Sequence, residues 1–159
     1  MNKIYLLLGS NMGNSLEQLQ IAIKNINRQI GKTIRKSGIY QTAAWGNTKQ
    51  PDFLNQVIIV ETGLTAAETM QAILLIEKNM GRIRTVKNAP RVIDIDILFF
   101  NKEIIDQKEL IVPHPEIPNR RFVLIPLNEL SPNLKHPVLL KNNHQLLNAC
   151  KDELNVKKF

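Results

Sequence analysis

Two capped amphipathic segments, each enclosed between extended apolar runs, dictate the order in which this chain can fold. The first follows the strand-like run "KIYLLLG" and the turn "GSNMGNS". There Ser15 and Gln18 make a capping-box pattern. Leu16, Leu19, Ile23, Ile26 and Ile30 then recur at the spacing of one helix face, and Gly31 stops the helix. "KTIRKSGIYQT" fits one second strand over 32–42, "AAWGNTKQPD" a loop, and "FLNQVIIVET" a third strand. Past Gly63, Thr65 and Glu68 form another capping box. Ala67, Met70, Ile73, Leu74, Ile76 and Met80 line the second helix, which Gly81 closes. A basic loop then leads into an apolar run ending at Phe100. The order β-α-β-β-α-β is that of an α+β, ferredoxin-like core: an antiparallel sheet with the helices on one face. Residues 101–159 are expected to add a C-terminal extension of short strands and helices. It comprises a hairpin near 104–112, a proline-rich loop, and helices around 126–130 and 143–152. All 159 residues are expected to form one domain, 1–159.

The last strand of that core, within "APRVIDIDILFF", carries two carboxylates in an apolar run. Side chains alternate across a strand, so Asp94 and Asp96 share a face, roughly 6.6 Å apart along it, while Ile93, Ile95 and Ile97 turn to the core. Aspartate is depleted in strands, and like charges on one face repel. The approach to this strand, "RIRTVKNAPR", holds Arg82, Arg84, Lys87 and Arg91 and no acid. Carboxylates on a rigid strand suit Mg²⁺, which takes one or two of them and completes its shell with phosphate oxygens and water. Arginines suit the phosphates. The constellation predicts a metal–nucleotide site for phosphoryl transfer.

Other motifs carry less. "GSNMGNS" lacks the lysine of a phosphate-binding P-loop and reads as a turn with a cap. His114, His136 and His144 lack metal-ligand spacing, and His136, before a proline in a loop, reads as surface. His114 is fixed between Pro113 and Pro115, six residues before Arg120, in a loop able to meet phosphate. Phe53 and Asn55 point the same way by the period of two: a stacking face and a group able to donate and accept toward a heterocycle edge. The net charge of +7 favours a polyanionic partner. A lone cysteine, Cys150, makes no internal disulfide and no cysteine-based metal site. No apolar run reaches the 18–20 residues or so of a membrane span, and the cytoplasm is the expected location. An RRM-type nucleic-acid-binding module shares this order of elements and is the rival reading. It needs aromatic residues on its central strands, where "RVIDIDIL" puts acids that repel phosphate.

"GIYQTAAWG", "QPDFLNQV", "GRIR", "KNAPRVIDIDIL" and "VPHPEIPNRRFVLIPLNEL" occur in the order and spacing of one family. From about residue 3 to at least 135 the chain resembles the 6-hydroxymethyl-7,8-dihydropterin pyrophosphokinases of folate biosynthesis. The resemblance implies an ATP-dependent diphosphokinase: the β,γ-pyrophosphoryl group of ATP passes to the pterin hydroxymethyl oxygen, and AMP leaves. It implies two Mg²⁺ ions on Asp94 and Asp96, with Arg82 and Arg91 assisting transfer. It puts ATP against Glu77, Arg84, Arg91, Ile97, His114 and Arg120. It puts the pterin between Phe53 and Phe122, its amide edge read by Asn55 and by the segment containing Thr42, Ala43 and Trp45. The implied partners are these two small molecules, with no nucleic acid and no membrane, and the implied state is a monomer. Segments 43–50 and 82–90 are expected to move when ligands bind. Two departures stand out: Asn88-Ala89 where the family has Trp-Gly before the Pro-Arg, and Ala43-Ala44 where proline is common.

Overall fold

A computed structural model describes residues 1–44, 49–83 and 90–159. β1 (Asn2–Ser10) lies between β4 (Phe53–Thr62) and β5 (Asp94–Phe100), antiparallel to both. On the far side of β4 run β2 (Gly31–Lys36) and β3 (Tyr40–Thr42), and β8 (Val156–Lys158) pairs outside β3. The path β5-β1-β4-β3-β8 is the expected ferredoxin-like order with an added outer strand. The expected single second strand is two strands. Ser37 separates them, its Oγ accepting from the Val57 N–H while its own N–H donates to the Val57 carbonyl. A side chain thus takes a place in the ladder and bends the strand. Gly31 follows the C-cap Ile30 of the first helix, as expected of a helix stop, and also starts β2; a Cβ there would lie 2.0 Å from the Glu61 carbonyl oxygen.

The helices α1 (Ser15–Gln29) and α2 (Ala66–Asn79) cover one face. Ile4, Leu6 and Leu8 of β1 and Ile95 and Ile97 of β5 pack there against Leu19, Ile26, Ile73 and Ile76. Each such buried aliphatic side chain contributes roughly 1.5–3 kcal/mol. The Thr65–Glu68 capping box is present in full, whereas α1 is capped by Asn14, one residue before the expected Ser15. On α2, Ala67 and Leu74 are exposed. Thr69 and Glu77 occupy the buried stripe instead, because the apolar positions of that segment are spread too widely to lie on one face.

The other face is covered too, by the extension. After the hairpin β6 (Ile105–Gln107) and β7 (Leu110–Val112) come α3 (Arg121–Leu130) and α4 (Asn143–Ala149). Val123, Leu124, Leu127 and Leu146 bury Leu7, Val57, Ile59, Leu98 and Phe99. α3 starts well before the expected 126, and Pro126 lies inside it. The buried face of the helix outweighs the one backbone bond that a proline removes. His136, expected on the surface, is 5% exposed. Its Nδ1 accepts from the N–H groups of Val138 and Leu139, and its ring meets Phe99 edge-on.

Candidate active site

The strand register brings the expected side chains into one row. Asp94 faces Gly9 across β5 and β1, and Gly9 faces Asn55 across β1 and β4. One step along, Asp96 faces Leu7. Gly9 keeps this floor low: a Cβ there would lie 3.1 Å from Asn55 Oδ1. Above the floor a cleft is walled by Thr42, Ala43 and Phe53 on one side and by Arg120 and Phe122, from the start of α3, on the other. Arg91 reaches into it, its guanidinium 5.8 Å from the Phe53 ring centroid. A second cleft, lined by Met70, Ile97, Leu110, Ile111 and His114, adjoins it. Asp96 lines both.

The two carboxylates differ. Asp94 Oδ1 accepts from Arg82 Nη1 at 2.7 Å, and Oδ2 from Arg91 Nη1 at 3.1 Å. Asp96 makes no hydrogen bond or ion pair among the described residues. Burial above all, then the charges of Asp94 and Glu77, push its carboxyl up to about 8. The charges of Arg82 and Arg120 act the other way and only partly offset this. Carboxylate oxygens are hard donors, so the pair fits Mg²⁺, with phosphate and water supplying the ligands that two side chains cannot.

Glu77, expected against the nucleotide, lies on α2 below Asp94 and Asp96. It is 2% exposed, and its Oε2 accepts from Arg82 Nη1 at 2.6 Å and from the Ile95 N–H at 2.9 Å. It sits beneath the site, fixing Arg82 and the start of β5. His114 Nδ1 accepts from the Glu116 N–H at 3.1 Å, and burial, with the nearby Arg120 charge, lowers its pKa. The neutral ring therefore carries its proton on Nε2 and is a donor there. Trp45, Arg84 and the Asn88-Ala89 pair lie outside the described residues, as do most of the two segments expected to move.

Sequence reasoning missed Leu7 and Gly9, which look like ordinary strand residues until register places them. It also missed Asn11, which is 2% exposed. Asn11 Oδ1 accepts from the Arg91 N–H, and Nδ2 donates to Gln50 Oε1 and the Pro51 carbonyl. The turn after β1 thereby holds Arg91 and the approach to β4 together. Asn55, 3% exposed, has no partner for its Nδ2 among the described residues. Because that donor is unsatisfied among the described residues, Asn55→Ala is expected to weaken binding of the pterin that the resemblance implies by tenfold or more while moving the melting temperature by about 2 °C or less. Calorimetric titration and thermal melting check this.

Fold and cleft together define a ferredoxin-like α+β domain in which paired carboxylates meet arginines at the junction of two ligand-sized recesses. The family profile of 7,8-dihydro-6-hydroxymethylpterin-pyrophosphokinase (HPPK) matches residues 5–132, and the chain belongs to that family. It is 39% identical over 141 residues to the 2-amino-4-hydroxy-6-hydroxymethyldihydropteridine pyrophosphokinase of Aquifex aeolicus, covering 89% of this chain and 88% of the relative. It is 41% identical over 132 residues to that of Bacillus subtilis, covering 82% and 79%. The folic acid synthesis protein fol1 of Pneumocystis carinii is 38% identical over 135 residues, covering 85% of this chain but 18% of the relative. This chain thus spans about a fifth of the fol1 proteins it matches. Among solved structures, the wild-type HPPK-DHPS of Plasmodium falciparum with pteroate superposes with a TM-score of 0.75 at 19% identity, over 92% of this chain and 44% of that one. At that identity the likeness speaks for the fold alone.

Proposed function

We propose that this chain transfers the pyrophosphoryl group of ATP to the hydroxyl of 6-hydroxymethyl-7,8-dihydropterin, releasing AMP. The observation that carries the reading is Asp96, a carboxylate without a hydrogen-bond or ion-pair partner among the described residues, at the junction of the two clefts. One cleft offers what a pterin needs: two aromatic rings and, on Asn55, an amide donor unsatisfied among the described residues. The other, with Ile97, Met70 and the His114 donor, suits a nucleotide. In the transfer, the hydroxymethyl oxygen attacks the β-phosphorus and forms the new O–P bond. The bond between that phosphorus and the oxygen bridging to the α-phosphate breaks, and the hydroxyl proton departs. Arg91 and Arg120 would hold phosphate oxygens and stabilise charge as it moves toward the leaving AMP. His114 would donate from Nε2 to a phosphate oxygen, which argues against it as the base. Phe53 and Phe122 would fix the pterin plane so that its hydroxyl meets the phosphate in line. Asp94 and Asp96 would hold Mg²⁺, two ions in the fullest form of the proposal, supplying charge to the phosphates and acidifying the hydroxyl. An RNA-binding role is disfavoured because the open strand positions carry acids. Among the described residues no helix is long and apolar enough to cross a membrane.

Metal dependence is open to test through stability. A carboxyl raised in the folded state binds its proton more tightly there than in the unfolded chain, so stability falls as pH rises toward the folded value. His114, lowered in the fold, acts oppositely, but only below about pH 6.5, its ordinary value. Between pH 6.5 and 8 the metal-free protein is therefore expected to lose melting temperature, and Asp96→Asn to flatten the slope. Millimolar Mg²⁺ with ATP should restore it. A pH-independent melting temperature in this range, unmoved by Mg²⁺ and ATP, would count against the proposed site.

A further inference from the structure

Residues 150–159 lie past the stretch matched by the family profile, and they touch both walls of the first cleft. On one wall β8 flanks β3 in the register Tyr40↔Lys158, Gln41↔Lys157 and Thr42↔Val156. The Phe159 N–H continues the ladder, donating to the Ile39 carbonyl at 2.8 Å. β3 is three residues long, and it delivers Thr42 and Ala43 to the cleft. So short a strand at a sheet edge holds poorly with one neighbour; β8 gives it a second.

On the other wall, the N-cap residue of α3, Arg120, makes no side-chain cap bond. Asp152 serves that end from outside. Its Oδ2 accepts the Arg121 N–H at 3.0 Å, and its Oδ1 accepts the Leu154 N–H at 2.9 Å, which fixes the carboxylate's orientation. The charge also complements the positive end of the helix. Arg121 stands between Arg120 and Phe122, both of which line the cleft. A cross-tie completes the frame: the Tyr40 hydroxyl of β3 donates to Glu129 at the far end of α3, and Glu129 also accepts the Gly38 N–H.

We infer that residues 152–158 are a positioning clamp, in which Asp152 seats the start of α3 and β8 seats β3, so that Thr42 and Phe122 face each other at the separation a pterin needs. The inference rests on the pterin reading of that cleft. Walls set before the ligand arrives spare the ordering cost of binding, so the clamp contributes to pterin affinity without touching the pterin.

The test uses full-length protein and two separate titrations, one with 6-hydroxymethyl-7,8-dihydropterin and one with Mg-ATP, with melting curves to confirm folding. In Lys157→Pro the proline removes a ladder donor opposite Gln41. That variant is expected to raise the pterin Kd tenfold or more and to leave the Mg-ATP Kd within threefold. Asp152→Ala is expected to raise the pterin Kd by a similar factor. Asp152→Asn, which keeps one carbonyl acceptor and is isosteric, should fall between it and wild type. It also supplies a folded protein if the alanine variant is unstable. Pterin affinity unchanged in folded Lys157→Pro and in either Asp152 variant overturns the clamp while leaving the proposed reaction intact. So does an equal loss of both ligands in Lys157→Pro, the mark of a general structural role. A wild-type chain that binds no pterin overturns the reading of the cleft and the clamp with it.

Discussion

Asp96→Asn is expected to lower turnover by about a thousandfold or more, the scale of removing an electrostatic or metal-holding group from a phosphoryl-transfer site. It should at the same time raise the stability of the metal-free protein at neutral pH. Both effects follow from one circumstance. Asp94 is engaged by Arg82 and Arg91, whereas Asp96 faces the cleft with no partner among the described residues and with its charged form opposed by burial and by Asp94. A group that costs stability in the free chain and is kept at the junction of two clefts has its use in the loaded one. Initial rates and melting curves on the same preparations check the pair of effects. A variant retaining a tenth of the wild-type rate, or one less stable than wild type without metal at pH 8, contradicts this account.

Glu77→Ala is expected to destabilise the fold by about 3 kcal/mol, the scale of breaking a buried ion pair from one side. The substitution leaves the buried Ile95 N–H without its acceptor and strips Arg82 of one of two carboxylates. Glu77→Gln keeps an oxygen for the Ile95 N–H and should lose less than half as much. Turnover should fall about tenfold in Glu77→Ala, because Arg82 then answers to Asp94 alone and the start of β5 loses its anchor. Denaturant unfolding separates the two variants. A change under about 0.5 kcal/mol in Glu77→Ala, the range of an ordinary surface substitution, would remove Glu77 from the support of the site.

Much of this site is legible in the sequence because strand geometry is so restrictive. Once "RVIDIDIL" is read as a strand, period-two alternation puts Asp94 and Asp96 on one face and the isoleucines on the other. The same rule pairs Phe53 with Asn55. The capping box at Thr65 and Glu68 is legible because it is a local hydrogen-bond pattern. What is not legible depends on partners distant in sequence. Gly9 matters only because register sets it between Asp94 and Asn55. Asn11 looks like a turn residue until its contacts to Arg91 and Gln50 are known. Ser37 splits the second strand through a hydroxyl bond to Val57, which no periodicity announces. The extension over the second sheet face, with His136 buried beneath it, follows from packing against Phe99 and Leu98. The tail offers no pattern at all; its place is set by an edge bond to β3 and one carboxylate on α3.

The central claim is that the two clefts meeting at Asp96 bring a pyrophosphoryl donor and a pterin hydroxyl together. Its most direct measurement is the product ratio when the purified chain is given Mg-ATP labelled at the γ-phosphate and 6-hydroxymethyl-7,8-dihydropterin. The account predicts AMP and a labelled pterin diphosphate formed one to one, with no reaction when metal is chelated. ADP with a singly phosphorylated pterin, or loss of ATP without any labelled pterin, would contradict it.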